Sequence, residues 1–341
     1  MNLDDLSDFP RIDTSGLLFE IQSMPNQLAT AWEMAKYLPI PELITPKIIV
    51  LSGMGGLAAS SDLLATYVKH TCTVPMFDLQ DYEIPEWAKG KDTLFIAFSH
   101  KGNITETISL IEHATTNKCS IILISSEDTI SKVAYERQIP IWHFDHQGEP
   151  NSAIGYSFAY SLALCERINV IPPQSLFLSS AVTAVEHMKE RIDIHVPVKN
   201  NSAKRLAGQM MNRWISIIGS SYLTPVAKRW KNQINIMAKA WAQHDALTPN
   251  TNKLIARNEN TQDILLKTMV IFLKSAFDDI LDEEQVVSIR NELIRAGINT
   301  DAIVFKESHP LSEMWTSILF GDYLAYYLAI AYQTDPNFNV T

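Results

Sequence analysis

The stretch FIAFSHKGNITETISLI, residues 95–111, runs an apolar strand into a short polar loop and then into a helix opening with Thr105 and Glu106. Glycine lets the backbone approach a ligand closely, and the free N–H groups of a helix start attract phosphate. Working outward, apolar runs recur on both sides of it: KIIVLSG (47–53), TLFIAFS (93–99), SIILISS (120–126) and IPIWHF (139–144). Segments of helical periodicity separate them. That is the grammar of parallel strands buried on both faces by crossover helices.

The second half repeats the architecture with little identity of letters. WISIIG (214–219), LLKTMVIFLKS (265–275) and DAIVFKES (301–308) alternate with helix-like segments at 223–243, 282–296 and 311–333. A helical bridge at 152–190 joins the halves through NVIPPQ, whose paired prolines end the helix before them. A chain of 341 residues fits two α/β domains.

A hydrophobic content of 46% with 19% charge is that of a globular protein. With no run of about 18 apolar residues and no basic, apolar signal at its start, the chain is expected to be cytoplasmic and away from membranes. A formal charge of −10 argues against nucleic acid as a partner, though a local anion site is compatible with it. Cys72, Cys119 and Cys165 are odd in number and lack CxxC spacing, so buried small hydrophobes are expected rather than disulfides or a metal site. The acidic cluster of Asp278, Asp279, Asp282, Glu283 and Glu284 lacks the glycine and donor spacing of a calcium loop. It reads as the opening of a helix near Asp282. Tyr323, Tyr326, Tyr327 and Tyr332 are spaced for helix packing or a subunit face.

In sheets of this kind ligands sit beyond the carboxyl ends of the strands. Two loops qualify there: SGMGGLAAS (52–60), with Gly55 and Gly56, and SHKGNITET (99–107), with Ser99, Lys101, Gly102, Asn103 and Thr105. Taken singly, each could be a tight turn followed by a helix cap at Asn103 or Thr105. The first lacks G-x-G-x-x-G, which disfavours a nucleotide-dependent oxidoreductase, and no cofactor is expected.

Together the loops are more specific. GMGG after a first strand, followed by S-x-x-G-N-x-x-E-T opening a helix, resembles the sugar isomerase (SIS) domain. EPNSAIGYSFAYSLAL (149–164) resembles the P-R-x-A-x-G-Y stretch of the bifunctional phosphoglucose/phosphomannose isomerase family, and YLTPVAKRWKNQINIMAKAWA (222–242) its A-x-R-x-K-x-Q-x-N-E-N-A-K helix. HPLSEMWTSILFGDYLAYYLAIAYQTDP (309–336) is similar to the family's closing G-D-Y segment. The resemblance covers nearly the whole chain. It implies two SIS subdomains, each a three-layer αβα sandwich with a parallel sheet: 1–175, with an N-terminal helical segment and the bridging helix, and 176–341. It also implies a phosphorylated sugar or other small anion as ligand, and a homodimer.

The matched chemical groups depart from the family. Leu57 stands where a serine follows the glycines, and Lys101 and Ile104 replace a serine and a threonine of the phosphate loop. Asn151 replaces the arginine of P-R-x-A, and Ile236 replaces the catalytic glutamate. Thr251 falls at the ring-opening histidine, and the C-terminal lysine has no counterpart in DPNFNVT. Isoleucine carries no proton, so ordinary glucose 6-phosphate and mannose 6-phosphate isomerisation is expected to be absent. The alternative is an active aldose–ketose isomerase with rearranged groups, for which His244, beside Asp245, and His100 are the candidate acids or bases. The plainer expectation is that His244 and Asp245 end a long helix and that His100 faces solvent. Lys101 is expected to add charge to an anion site.

Overall fold

The computed structural model describes residues 2–40, 45–53, 57–81, 83–100, 104–126, 128–248, 251 and 262–337. In chain order, helices α1 (Phe9–Ile12), α2 (Leu17–Gln22) and α3 (Met24–Ala35) precede β1 (Ile48–Ser52), α4 (Ala58–Val68), β2 (Met76–Leu79) and β3 (Thr93–Ser99). Then come α5 (Ile104–Thr116), β4 (Ser120–Ser125), α6 (Asp128–Glu136), β5 (Ile141–His143), α7 (Ile154–Arg167) and α8 (Ser175–Ile192). The remainder is α9 (Ser202–Met210), β6 (Trp214–Gly219), α10 (Thr224–Met237), β7 (Ala242–Ala246), α11 (Gln262–Leu265), β8 (Thr268–Ser275), α12 (Ile280–Arg295), β9 (Asn299–Phe305) and α13 (Pro310–Ala331).

Two sheets result, ordered β2-β1-β3-β4-β5 and β7-β6-β8-β9, and every strand pair is parallel. Helices flank both, as expected of the SIS fold. In β3 every residue is buried, because both faces are covered. Side chains alternate across a strand, so Phe95 and Ala97 pack with Leu110, Ile111 and Ala114 of α5 and Ile130 of α6, while Leu94, Ile96 and Phe98 point to the opposite face. In the second sheet Val270 and Phe272 meet Val286, Ile289 and Leu293 of α12.

The chain forms two compact units, residues 23–182 and residues 1–22 with 183–341. Their boundary lies inside α8, whereas the expected SIS boundary at 175/176 lies at that helix's start. The N-terminal 22 residues, expected with the first domain, group with the second sheet. Within that unit Asp13 Oδ2 accepts the Tyr326 hydroxyl at 3.2 Å, and Thr14 donates to Asp335 at 2.7 Å.

One expected helix is shorter. The segment 223–243 breaks at Met237: Lys239 takes a left-handed φ of 51°, filling the place after a helix that glycine usually takes, and residues 242–246 form β7. His244 and Asp245 therefore lie on an edge strand and not at a helix end. Three of the four tyrosines resolve as packing, since Tyr323, Tyr326 and Tyr327 are buried on α13, while half-buried Tyr332 follows its end and accepts the Asn212 N–H at 2.6 Å. The three cysteines are unpaired, with Cys165 buried and Cys72 and Cys119 half-buried. The acidic cluster opens α12, where Asp279 caps the helix by accepting from the Asp282 N–H at 2.8 Å.

Candidate functional site at the carboxyl edge of the first sheet

Strands β1, β3 and β4 end in serines, Ser52, Ser99 and Ser125, all buried. Parallel register sets Ser99 beside Ser125 and Ser125 beside His143. The Ser99 hydroxyl is sealed from solvent and has no hydrogen-bond partner among the described residues. A buried hydroxyl in that state carries a desolvation cost with nothing to offset it, which an incoming acceptor would remove. The α5 helix starts at Ile104, and Thr105, exposed, stands in its first turn, among the N–H groups that a helix leaves without internal acceptors. Gly55, Gly56, Lys101, Gly102 and Asn103 lie outside the described residues.

His100 does not face solvent. It is 3% exposed, its Nε2 lies 2.9 Å from His146 Nδ1, and His146 Nε2 lies 3.2 Å from the Ser152 Oγ. Ser152 also donates its hydroxyl proton to the Glu149 carbonyl at 2.7 Å, so one hydroxyl and two imidazoles form a continuous chain behind the end of β3. The solvated reading failed because burial here depends on β5 and the loop after it, 46 residues away along the chain.

The surroundings hold this chain of contacts in place. Phe144 stacks on Tyr156 with centroids 5.0 Å apart, and the His146 ring meets Tyr156 edge-on at 6.2 Å. Burial first, and Asp145 second, push the Tyr156 hydroxyl above its ordinary range, so it stays a donor at neutral pH. Gln27 of α3 ties the loop down: its Nε2 donates to the Ser152 carbonyl at 2.8 Å and its Oε1 accepts the Gly155 N–H at 3.1 Å. Sequence reasoning missed His146 and Ser152. His146 has no motif beyond its place in the loop after β5, and Ser152 falls at a variable position of the stretch that resembles P-R-x-A-x-G-Y.

The other positions singled out in the sequence have ordinary surroundings. His244 is exposed on β7, in the other compact unit. Ile236 is half-buried on α10, and Thr251 accepts the Thr248 N–H at 2.8 Å in a local turn. Among the described residues no group of three or more His, Cys, Asp or Glu side chains is placed to hold a metal ion. None of the described helices is long and apolar enough to cross a membrane.

Residues 199–338 match the family profile described as the bacterial phospho-glucose isomerase C-terminal SIS domain. The chain is 30% identical over 327 residues to the bifunctional phosphoglucose/phosphomannose isomerase of Caldicellulosiruptor bescii, covering 94% of this chain and 95% of that one. It is 27% identical to the protein of the same name from Thermoplasma volcanium, over 84% of this chain and 86% of the other. Among solved structures it is similar to a glucose-6-phosphate isomerase like protein from Thermus thermophilus, with a TM-score of 0.66 at 15% identity over 100% of this chain and 99% of that one.

Proposed function

The chain belongs to the bifunctional phosphoglucose/phosphomannose isomerase family, and from that premise we propose that it binds a phosphorylated sugar at the carboxyl edge of its first sheet without the family's ordinary isomerase chemistry. The buried Ser99 hydroxyl, without a partner among the described residues, carries the binding half of this reading. It ends β3 just before the α5 N-terminus, where a phosphate would find a hydroxyl and free backbone N–H groups together. The chemical half rests on Ile236, which stands at the matched place of the proton-transferring glutamate. General base catalysis alone contributes about 10²- to 10⁴-fold, and Asn151 in place of the family's arginine removes charge stabilisation besides.

A thermal-shift screen of phosphosugars, followed by a product-coupled assay on each ligand that binds, tests this. Binding of glucose 6-phosphate or mannose 6-phosphate without enzyme-like turnover is the expected result. Turnover that survives removal of host isomerase would sink the proposal's second half.

One observation favours the alternative of an aldose–ketose isomerase with rearranged groups. The chain of contacts from Ser152 through His146 fixes an imidazole, His100, directly after Ser99, the matched place of the family's phosphate-loop serine. If turnover is found, His100→Asn is expected to abolish it with phosphosugar binding retained, and His244→Ala to leave it unchanged. We propose further that the chain is a homodimer, which sedimentation equilibrium would test.

A further inference from the structure

The second sheet ends in loops of the same kind, yet its edge is closed by one of the chain's own acids. Strand order β6-β8-β9 mirrors β1-β3-β4, and β8 ends at Ser275 as β3 ends at Ser99. Both serines are 1% exposed. The Ser99 hydroxyl has no partner among the described residues, whereas Ser275 donates to Glu313 Oε2 at 2.6 Å.

Glu313 stands in the first turn of α13 and is wholly buried. Its Oε2 also accepts the Tyr222 hydroxyl at 2.5 Å, and its Oε1 accepts the N–H groups of Ala276 at 3.2 Å and Glu307 at 3.3 Å. Two hydroxyls and two backbone amides, from the last residue of β8 and the segments following β6, β8 and β9, thus converge on one carboxylate. No cation among the described residues is bonded to it; its charge is held by oriented dipoles and by the start of α13. Burial, and then Glu313 itself, push the Tyr222 hydroxyl up, which keeps it a donor. Hydroxyls and strand-end amides are the donors that hold a phosphate or carboxylate ligand at such an edge.

We propose that the carboxyl edge of the second sheet is an anion cradle that the chain fills permanently with Glu313, leaving the Ser99 edge to take the phosphosugar. The emptied cradle has the chemistry of a site for a small monocarboxylate. Asp278, which accepts from Ser220 at 2.7 Å and from the Ser275 N–H at 2.9 Å, and Glu307 flank it, so a dianionic phosphate is the poorer fit. The contrast with Ser99 rests on the reading of that edge as the phosphosugar site, and the two are tested by different ligands.

The experiment is rescue of Glu313→Ala by formate. The variant is expected to melt below the wild type and to regain about 2–4 °C in saturating formate, with no gain in chloride of equal ionic strength. Wild type and Glu313→Gln, whose amide still fills the cradle, are expected not to respond. Adding Tyr222→Phe to Glu313→Ala is expected to remove the rescue. Should Glu313→Ala fail to fold alone, the folded yield with and without formate is the readout. Equal response of all variants to formate, or no rescue of either melting or yield, overturns the proposal. Loss of glucose 6-phosphate binding by the wild type would instead count against the reading of Ser99 and leave the formate result standing.

Discussion

At the scale of single residues, the polar groups that matter are those the fold buries without an internal partner, or with too many. Ser99 is the first kind. Replacing it with alanine removes a buried hydroxyl that bonds nothing among the described residues, so unfolding in urea is expected to show unchanged stability or a gain of up to about 1 kcal/mol. The same substitution is expected to weaken phosphosugar binding by about 1 kcal/mol in calorimetry. A loss of stability with unchanged binding would mean that the hydroxyl serves the fold instead. Glu307 is a different case. Burial first, and Glu313 second, hold its carboxyl above the ordinary 4.5. The folded chain therefore binds that proton more tightly than the unfolded chain. This group's contribution to stability is full below 4.5 and is lost as pH rises through the folded value. Glu307→Gln is accordingly expected to raise the melting temperature at about pH 8 and to match the wild type near about pH 4. A difference that grows on acidification would reverse the sign of the argument.

Among the elements, α13 shows how one small residue sets a helix pair. Trp230 of α10 donates its indole N–H to the Ser317 carbonyl at 2.8 Å and stacks on Phe320 at 5.5 Å. A Cβ on Gly321 would overlap that indole, so the G-D-Y glycine is a packing requirement of this pair. Its neighbour Asp322 joins the same contact, taking Arg229 Nη2 at 2.6 Å and Gln233 Nε2 at 3.2 Å. Gly321→Ala is expected to cost about 1–3 kcal/mol in chemical denaturation through overpacking. The family likeness along α10 and α13 thus has a structural reason that does not depend on the residue at position 236. An alanine that folds as stably as the glycine would show that the indole moves aside cheaply. The strands divide in the same way. The central ones, β1, β3, β4, β6 and β8, are nearly continuous apolar runs and were readable as such, whereas β2 and β7 were not. Their burial patterns are those of edge strands, with Ala242 the sole buried residue of β7. Without two covered faces a strand has no need of a continuous apolar run, and AQHDA passed for the end of a helix.

For the whole molecule, the two sheets present the same architecture with opposite solutions at their carboxyl edges. One keeps a buried serine without an acceptor among the described residues, and the other meets its serine with a carboxylate. A saturating titration with glucose 6-phosphate is therefore expected to reach one equivalent per chain, and two equivalents would contradict the assignment of the second edge to Glu313.

What the sequence by itself determined is whatever is written in neighbouring residues. That includes the parallel strands with two covered faces, the helix that opens after Ser99, the two-sheet SIS architecture and the family. Only the tertiary structure decided which polar groups meet. His100 finds His146 46 residues away, Ser275 finds Glu313 38 away, and Gln27 finds the Ser152 carbonyl 125 away. Periodicity reports the covering of a face, because burial of apolar area is additive and non-directional. A hydrogen bond is directional and pairwise, so its partner is set by where the sheets and helices place each loop, and no local pattern encodes it.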